Sequence, residues 1–418
     1  MERPQGKVKN SISILTCLLL TYSSWAKLIR VGKDQSIHSV QLAIDIAVAG
    51  DSIFVEAGHY HEKNLLINKS IFLIGLNRPV LDGDHQYEII SIKANAVVVD
   101  GFKIIHSGFS SIEDYAGVKI YNSRDVIIRN NILEDTFFGI YTQYGFNCTI
   151  EKNTLIAYDR SEQQTGNGIH CWKSDSMRII ANTVNGHRDG IYFEFVTNSV
   201  IWRNVSEKNL RYGLHFMFSN NDSYITNIFK NNGAGVAVMF SKSVKMFHNY
   251  FEENWGDGAY GLLLKEISDS YIENNRFVNN TTGIFMEGAS RMQLEKNVFK
   301  GNGWAMKIQA SCMEVFVKNN NFLSNSFDLG TNGSLSLNTF ENNYWDKYDG
   351  YDINKDKLGD IPYRPVSLYA LIIDQNPPAM ILYRSFMASL LDKTEKIIPS
   401  LTPENLKDDH PLMKPLPL

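Results

Sequence analysis

The chain has 418 residues, of which 44% are hydrophobic, and it carries a formal net charge of −4 at pH 7. This hydrophobic content is sufficient for a large buried core, whereas the slightly acidic balance excludes the basic surface typical of proteins that bind nucleic acid. The length is compatible with one to three compact domains or with one long repeat fold.

Residues 1–26 are predicted to be a secretory signal peptide that is cleaved near Ala26–Lys27. Basic residues precede the apolar run SISILTCLLLTY, and the small residues Ser24 and Ala26 follow it. An uncleaved anchor is the alternative, although the run is short for a membrane span. Export by a Gram-negative cell would place the mature chain in the periplasm. The three cysteines that remain are expected to be buried thiols rather than a disulfide framework.

Residues 27–50 are predicted to cap one end of the fold. Apolar residues follow helical spacing from Ile37 to Ala47, Ser36 is a candidate N-cap, and the stretch ends at Gly50. A helix at this place would cover an open sheet edge, which otherwise invites aggregation.

Residues 51–345 are predicted to form a repeat, which is regular from residue 117 onward. The repeated segments are GVKIYNS, GIYTQYG, GIHCWKS, GIYFEFV, GLHFMFS, GVAVMFS, GLLLKEI, GIFMEGA and AMKIQAS, at intervals of mostly 22 residues. An asparagine stands fourteen positions after the start of every segment: Asn131, Asn153, Asn182, Asn204, Asn227, Asn249, Asn275, Asn297 and Asn319. Stacked asparagines suit a β-solenoid whose coils bury a common core. The fold class is therefore predicted to be all-β, a right-handed parallel β-helix of about 22 residues per coil, with a C-terminal helix and an extended tail.

The segment GLHFMFSNN carries the most unusual side chains of this repeat. Alternate residues of a strand point to opposite sides, so Leu214, Phe216 and Phe218 are expected to face the core. His215 and Met217 are then expected to face outward. Imidazole and thioether groups are ligands that suit Cu(I).

A candidate copper site follows from the neighbouring coils. Met239 lies one coil from Met217 and is close enough to share a metal ion, so the predicted ligands are His215, Met217 and Met239. His170 is an alternative ligand, although it lies two coils from His215, about 9–10 Å away. Two other interpretations remain open: the C-terminal helix or tail covers this outer face, or its aromatic residues bind sugar rings.

A polysaccharide-binding protein or an enzyme of the uronan lyase or epimerase type is the alternative function. A glycosidase needs two carboxylates about 5–9.5 Å apart. Glu194 and Glu287 lie four coils apart, and Asp189 is a candidate base without a partner carboxylate in the adjacent coils.

The regular pattern ends near residue 345, and residues 346–418 are predicted to form a turn region, a helix and a docking tail. Within the turn region, the 352–360 segment has the alternating oxygen ligands of a calcium loop, but Lys357 replaces the expected glycine. A polar turn is the simpler interpretation. Residues 378–395 are predicted to be one helix, and 398–418 an extended tail that packs on the rod or on a partner. The tail also carries the soft pair His410 and Met413.

The whole mature chain resembles the NosD family, the periplasmic accessory proteins of nitrous oxide reductase. The resemblance lies in AIDIAVAGDSIFVEAGHY, in the coils GLHFMFSNN and GVAVMFSK, in YWDKYDGYDINKDKLGDIPYRPVSLY and in PENLKDDHPLMKP. Pectate lyases and alginate epimerases share the solenoid. The methionine-bearing coils and the C-terminal third are therefore the parts that distinguish the NosD family from them.

The resemblance implies a role in copper handling without catalysis by this chain. NosD proteins work with an ABC transporter made of the ATPase NosF and the membrane protein NosY, at the periplasmic side of the inner membrane. Together they help to mature the copper–sulfur centre of nitrous oxide reductase, NosZ, and the copper lipoprotein NosL is expected to deliver Cu(I). His215 and Met217, with Met239 in the next coil, fit such a role: the hypothesis is that copper is received there and released when the transporter changes state.

Overall fold

A computed structural model describes residues 26–110, 112–158, 161–333, 335–397 and 406–418. The predicted signal peptide, apart from Ala26, lies outside these residues. No helix within them is long and apolar enough to cross a membrane.

The described chain winds into a parallel β-helix of about 23 residues per coil, one more than the sequence period predicts. Its strands form three sheets of 14, 13 and 12 parallel strands, and each complete coil contributes one strand to each sheet, whereas the first and last coils lack strands in some sheets. We name them sheets I, II and III. At one strand spacing per coil, the rod is about 60 Å long.

Each sheet is a series of short strands that stack in chain order along the rod. Sheet I contains Leu28–Val31, Ser52–Val55, Phe72–Gly75, Val98–Asp100, Ile127–Arg129, Thr149–Glu151, Arg178–Ile180, Val200–Trp202, Ser223–Ile225, Lys245–Phe247, Ser268–Glu273, Ser290–Glu295, Met313–Lys318 and Thr339–Glu341. Sheet II contains His59–His61, Val80–Asp82, Lys103–Ile105, Ile132–Glu134, Thr154–Ile156, Thr183–Asn185, Val205–Glu207, Ile228–Lys230, Tyr250–Glu252, Arg276–Val278, Val298–Lys300, Asn321–Leu323 and Tyr344–Trp345. Sheet III contains Leu65–Ile67, Ile90–Ile92, Ala116–Tyr121, Phe138–Gln143, Ile169–Trp172, Ile191–Glu194, Tyr212–Met217, Ala234–Met239, Tyr260–Lys265, Thr282–Glu287, Trp304–Ile308 and Phe327–Gly330.

The core lies inside the three sheets and is built in columns of like residues. In sheet II, five phenylalanines and one tryptophan stack with neighbouring ring centroids 4.0–5.6 Å apart. These rings are Phe229, Phe251, Phe277, Phe299, Phe322 and Trp345. The glycine that starts most repeats is explained by close packing, since a Cβ on Gly213 would lie 2.7 Å from the Gly235 carbonyl oxygen. Cys148, Cys171 and Cys312 are buried free thiols.

The predicted asparagine ladder is present, with one correction. Each side-chain oxygen accepts from the backbone and side-chain amides of the preceding rung, as between Asn131 and Asn153 at 3.0 and 3.1 Å. The rung after Asn297 is Asn320, not Asn319, because the turn before the strand Met313–Lys318 holds one residue more than earlier coils. Asn319 instead adopts a left-handed backbone conformation beside it.

The N-terminal cap is the helix α1, Val40–Ile46. The predicted N-cap Ser36 is wrong, because the Ser39 side chain accepts from the Leu42 amide. Val40, Ala43 and Ile44 of α1 are buried against the first coils. The 27–50 segment is not only a cap, since its strand Leu28–Val31 already pairs with Ser52–Val55.

The single helix predicted over 378–395 is wrong. The chain forms helix α2, Leu368–Gln375, a 3₁₀ helix, Pro377–Leu382, and helix α3, Phe386–Ile397. The two prolines that open the 3₁₀ helix lack the amide hydrogens that a continuous helix would use. Another 3₁₀ helix, Glu162–Gln164, lies in the coil insertion before residue 169.

The described part of the tail, 406–418, packs on the end of the rod. Asp408 occupies the next rung of the asparagine ladder, where its Oδ2 accepts from the Asn343 amide and side chain at 3.0 Å. Trp345 Nε1 donates to the same oxygen at 3.1 Å. The tail therefore closes the last coil. Residues 398–405 of the predicted tail lie outside the described residues.

The 352–360 segment is a polar turn in which carboxylates accept backbone amides. Asp352 accepts from the amides of Lys355, Asp356 and Lys357 at 2.6–3.2 Å. Asp360 accepts from the Ile353 amide at 2.6 Å. These bonds account for the alternating polar residues of the segment.

Candidate functional site

The strand Tyr212–Met217 places its side chains largely as the alternation predicts. Leu214 and Phe216 are fully buried in the core, and Met217 lies half-buried on the outer face. The prediction for Phe218 is wrong, because the strand ends at Met217. Phe218 has a φ of 51°, which turns its ring outward and leaves it exposed.

The outer face of sheet III carries a continuous stack of rings around His215. Tyr141, His170, Tyr192 and His215 follow one another in adjacent coils, with ring centroids 4.5–4.7 Å apart. Tyr212 contacts the His215 ring at 4.8 Å. Both histidines are buried. Tyr192 lies between His170 and His215, so the two imidazoles do not meet.

An ion pair between buried Asp189 and partly exposed Arg211 holds His215 in position. Asp189, which is fully buried, accepts from Arg211 Nε at 2.9 Å and from Arg211 Nη2 at 2.6 Å. Its Oδ2 also lies 3.3 Å from His215 Nδ1. Although burial opposes ionisation, the hydrogen bonds from His215 and Arg211 keep the pKa of Asp189 below its usual value.

This arrangement selects one tautomer of His215. An ionised carboxylate only accepts, so Asp189 requires a proton on Nδ1, and in the neutral imidazole the lone pair then lies on Nε2. Nε2 is buried and has no hydrogen-bond partner among the residues that the structure describes. A carboxylate that orients an imidazole in this way is the usual outer support of a metal-binding histidine.

His170 receives the opposite arrangement. Asn167 accepts from Arg188 Nε through Oδ1 at 3.3 Å, which directs its Nδ2 to donate to His170 Nδ1 at 3.3 Å. The proton of the neutral ring then lies on Nε2, and burial together with Arg188 lowers the pKa of His170 to about 3. The structure therefore does not bring His170 into a ligand set with His215.

Met217 and Met239 are direct neighbours across paired strands, and both are half-buried. The Tyr192 hydroxyl donates to Met217 Sδ at 3.5 Å, while the Tyr192 ring stacks on His215. Burial raises the pKa of Tyr192 to about 12, so the hydroxyl stays protonated. Tyr192 thus contacts both His215 and Met217, which places the imidazole and the thioether in one neighbourhood.

The C-terminal helices do not cover this neighbourhood. Tyr369 and Ala370 of α2 pack on Trp304 and Phe327, and Asp374 pairs with Lys307 at 2.8 Å. The Trp304 strand lies four strands from the Tyr212 strand in sheet III, about 19 Å along the rod. The described tail residues, 406–418, pack on the last coil. Within the described residues, the expectation that these helices or the tail cover the central outer face is therefore wrong.

The neighbouring chain is instead the insertion between the strands Thr154–Ile156 and Ile169–Trp172. Its 3₁₀ helix brings Glu162 to 3.7 Å from Arg211. Its last residues bring Asn167 to His170. The length of this coil was visible in the sequence, but its place over the outer face was not.

An exposed aromatic ridge borders the two methionines. Phe195, Phe218 and Phe240 stack in adjacent coils, with centroids 5.0 and 5.1 Å apart and ring planes within 14°. Each is at least 36% exposed and follows the strand end in a left-handed conformation. Contiguous exposed apolar surface of this kind suits a protein partner.

Asp189 does not fit the catalytic role that the alternative function requires. It is fully buried and paired with Arg211, so it is not available as a base to a polysaccharide on the surface. Sequence reasoning missed the supporting roles of Arg211 and Tyr192. Arg211 lies 22 residues after Asp189, which is the repeat interval and was the signal for their contact.

Comparisons with known proteins agree with the expected resemblance. Residues 157–356 match the model of the family described as NosD, periplasmic copper-binding protein. The chain is 25% identical over 385 residues to the probable ABC transporter binding protein NosD of Pseudomonas aeruginosa PAO1, which covers 87% of this chain and 89% of that protein. It is 28% identical over 357 residues to the protein of the same name from Stutzerimonas stutzeri, which covers 80% of each chain. The resemblance to NosD is confirmed.

A solved structure with the same architecture is the A-module of the mannuronan C-5 epimerase AlgE6 from Azotobacter vinelandii. The TM-score is 0.51 at 15% identity, and the match covers 73% of this chain and 88% of that module. At this identity the likeness confirms the β-helix fold alone.

Proposed function

We propose that this NosD-like chain is a periplasmic copper-handling accessory protein that works with an ABC transporter. Its task is to help assemble the copper–sulfur centre of nitrous oxide reductase, NosZ. The names of its relatives support association with an ABC transporter and a binding role rather than catalysis. ATP hydrolysis and the membrane anchor then belong to the partners, NosF and NosY.

Copper is the cargo of this protein, and the proposed ligands are His215 Nε2, Met217 Sδ and Met239 Sδ. The observation that carries the proposal is His215 Nε2, which is buried and has no partner among the described residues, in a ring that Asp189 orients. Tyr192 contacts both this ring and Met217 Sδ. Imidazole with thioether is a soft ligand set that favours Cu(I) over divalent ions. His170 contributes to the ring stack and not to the ligand set.

Tyr192 offers a way for copper to be released from Met217. Its hydroxyl already donates to Met217 Sδ, so the sulfur has an alternative partner when copper leaves. An alternative partner weakens copper binding, and a carrier of moderate affinity is able to pass its cargo on. The aromatic ridge beside the methionines is the proposed contact for NosL, the copper lipoprotein that we expect to deliver Cu(I).

The test is a Cu(I) titration of the purified mature protein against a competing chelator. The double variant Met217→Leu, Met239→Leu keeps side-chain volume and removes both thioethers. We expect the wild type to bind one copper with moderate affinity, and we expect the variant to lose at least ~100-fold in affinity. The matched control is Met313→Leu, which removes an exposed thioether from sheet I and is expected to bind as the wild type does.

Unchanged binding in the double variant would overturn this ligand set and would direct attention to His410 and Met413. Absence of Cu(I) binding by the wild type would overturn the proposal that this chain holds copper on its own. Incubation with uronans tests the alternative function, and new unsaturated chain ends that vanish in Asp189→Ala would establish a lyase.

A further inference from the structure

The corner that follows sheet II in the N-terminal coils concentrates imidazoles and carboxylates far from the proposed copper site. The cluster consists of His59, His61, Asp82, Asp84, His85, His106 and Asp135, and we call it the N-terminal corner. These residues come from adjacent coils that stack in register, with His61 opposite Asp82. The corner lies about five coils from His215, or about 24 Å along the rod.

Asp82 is the centre of the N-terminal corner. Its Oδ2 lies 2.9 Å from His59 Nε2, and its Oδ1 lies 2.9 Å from His106 Nδ1. Asp82 is buried, while His59 and His106 are partly exposed. Although burial opposes it, the hydrogen bonds from the Asp84 amide, His59 and His106 lower the pKa of Asp82.

Two sets of three ligands meet at this corner. The first is His59, His61 and Asp82, and the second is His85, His106 and Asp135. Within each set, one ligand atom from each residue lies within 4.8 Å of the others. The rings are already adjacent, with centroids 4.3 Å apart for His59 and His61, and 4.5 Å for His85 and His106.

These separations are close to those of a bound ion. Ligand atoms of a tetrahedral zinc site lie about 3.3 Å apart, as follows from metal–ligand distances of about 2.0 Å. The 2.9 Å contact between His59 and Asp82 is within a few tenths of that value. The more distant atoms belong to exposed side chains, which are able to move inward.

We propose that the N-terminal corner binds a divalent transition-metal ion of the zinc or cupric class. Imidazole and carboxylate without thioether favour such ions over Cu(I). Asp82 then ligates the ion of the first set through Oδ2 and orients His106 of the second set through Oδ1. The competing explanation is that these histidines and aspartates only form ion pairs that stabilise the fold, and such pairs need no metal.

The test is a titration with Zn²⁺ alone, on full-length mature protein without an affinity tag. The variant His59→Gln, His106→Gln removes one imidazole from each set, while the glutamine amide keeps a donor for Asp82. The matched control is His248→Gln, an exposed histidine that directly follows a strand of sheet I, outside the corner. Substitution with Co²⁺ gives an independent readout, since its absorption reports nitrogen and oxygen ligands in a tetrahedral site.

We expect at least one equivalent of Zn²⁺ bound by the wild type and by His248→Gln, and ~10–100-fold weaker binding by the double variant. Undiminished binding by a double variant with wild-type circular dichroism would overturn the proposal. So would the absence of Zn²⁺ binding by the wild type. The Met217→Leu, Met239→Leu variant should bind Zn²⁺ normally, so the outcome does not depend on whether the proposed copper function holds.

Discussion

The central face of sheet III and the N-terminal corner use the same coil geometry for different chemistry. At the central face, His215 is buried, its carboxylate support is buried, and two thioethers lie beside it. At the corner, His59, His61 and His85 are exposed, His106 is half-buried, and the buried carboxylate Asp82 lies beside them. Stacked coils bring like residues together in both places, and burial with ligand type then decides which ion each place suits.

The comparison shows that, in a β-solenoid, the coil geometry brings side chains together, whereas their surroundings decide which metal ion they suit. Strand spacing brings residues of consecutive coils within ~5 Å without any special packing. Selectivity for a metal ion then depends on which chain segments cover the stacked side chains. The insertion that carries Glu162 and Asn167 lies beside the central face, while the corner histidines remain open to solvent.

The largest expected effect is that each double variant loses affinity for one metal ion and keeps its affinity for the other. Met217→Leu, Met239→Leu should lower Cu(I) affinity at least ~100-fold and leave Zn²⁺ affinity within twofold. His59→Gln, His106→Gln should lower Zn²⁺ affinity ~10–100-fold and leave Cu(I) affinity within twofold. Parallel competition titrations with both ions measure this. If either variant loses both metals, the two regions form one coupled site and the comparison fails.

Asp82→Asn should weaken Zn²⁺ binding by up to ~100-fold, because it removes both a charged ligand and the support of His106. The loss of stability should be small, since the histidines that it contacts are partly exposed. Calorimetric titration and urea denaturation measure the two effects on the same sample. An affinity equal to that of the wild type would remove Asp82 from the ligand set.

Asp189→Asn should lower Cu(I) affinity by ~10-fold, because the amide no longer fixes the proton on His215 Nδ1. It should also lower the free energy of unfolding by about 2–3 kcal/mol, since Arg211 loses a buried partner but keeps partial access to water. Arg211→Gln is the companion variant. We expect a similar loss of stability with a smaller loss of affinity, and equal losses of affinity would refute the positioning role of Asp189.

Tyr192→Phe should have the smallest effect, an increase of ~3-fold in Cu(I) affinity. The phenyl ring keeps its stack on His215, and only the hydroxyl that competes for Met217 Sδ is lost. Stopped-flow transfer to a chelator should show slower release. A decrease in affinity would indicate that the hydroxyl supports the site instead.

The fold was predictable because its information is local and repeated. The fixed asparagine and the 22-residue interval define the coil, and the alternation in sheet III correctly predicts core positions such as Leu214 and Phe216. Errors arise where the interval changes, as at Asn319, where one extra residue shifts the rung to Asn320. Phe218 was misplaced because alternation does not reveal where a strand ends.

The sites were less predictable because they depend on contacts between coils and insertions. The sequence indicated the methionine neighbours, but the tautomers of His170 and His215 follow from Asn167 and Asp189, whose orientations only the folded chain fixes. The N-terminal corner left a signal that was missed. His61 and Asp82 are paired across adjacent coils 21 residues apart, close to the interval of the regular coils, and His59 lies two residues before His61.

Asp408 has a consequence for how these rods meet one another. The last coil would otherwise present a free strand edge and an open asparagine ladder, and the tail fills both with its own backbone and carboxylate. Exposed edges of parallel sheets template the addition of further chains. We therefore regard the tail as a terminator of polymerisation, which keeps each solenoid a discrete particle in a crowded compartment rather than one segment of a growing fibre.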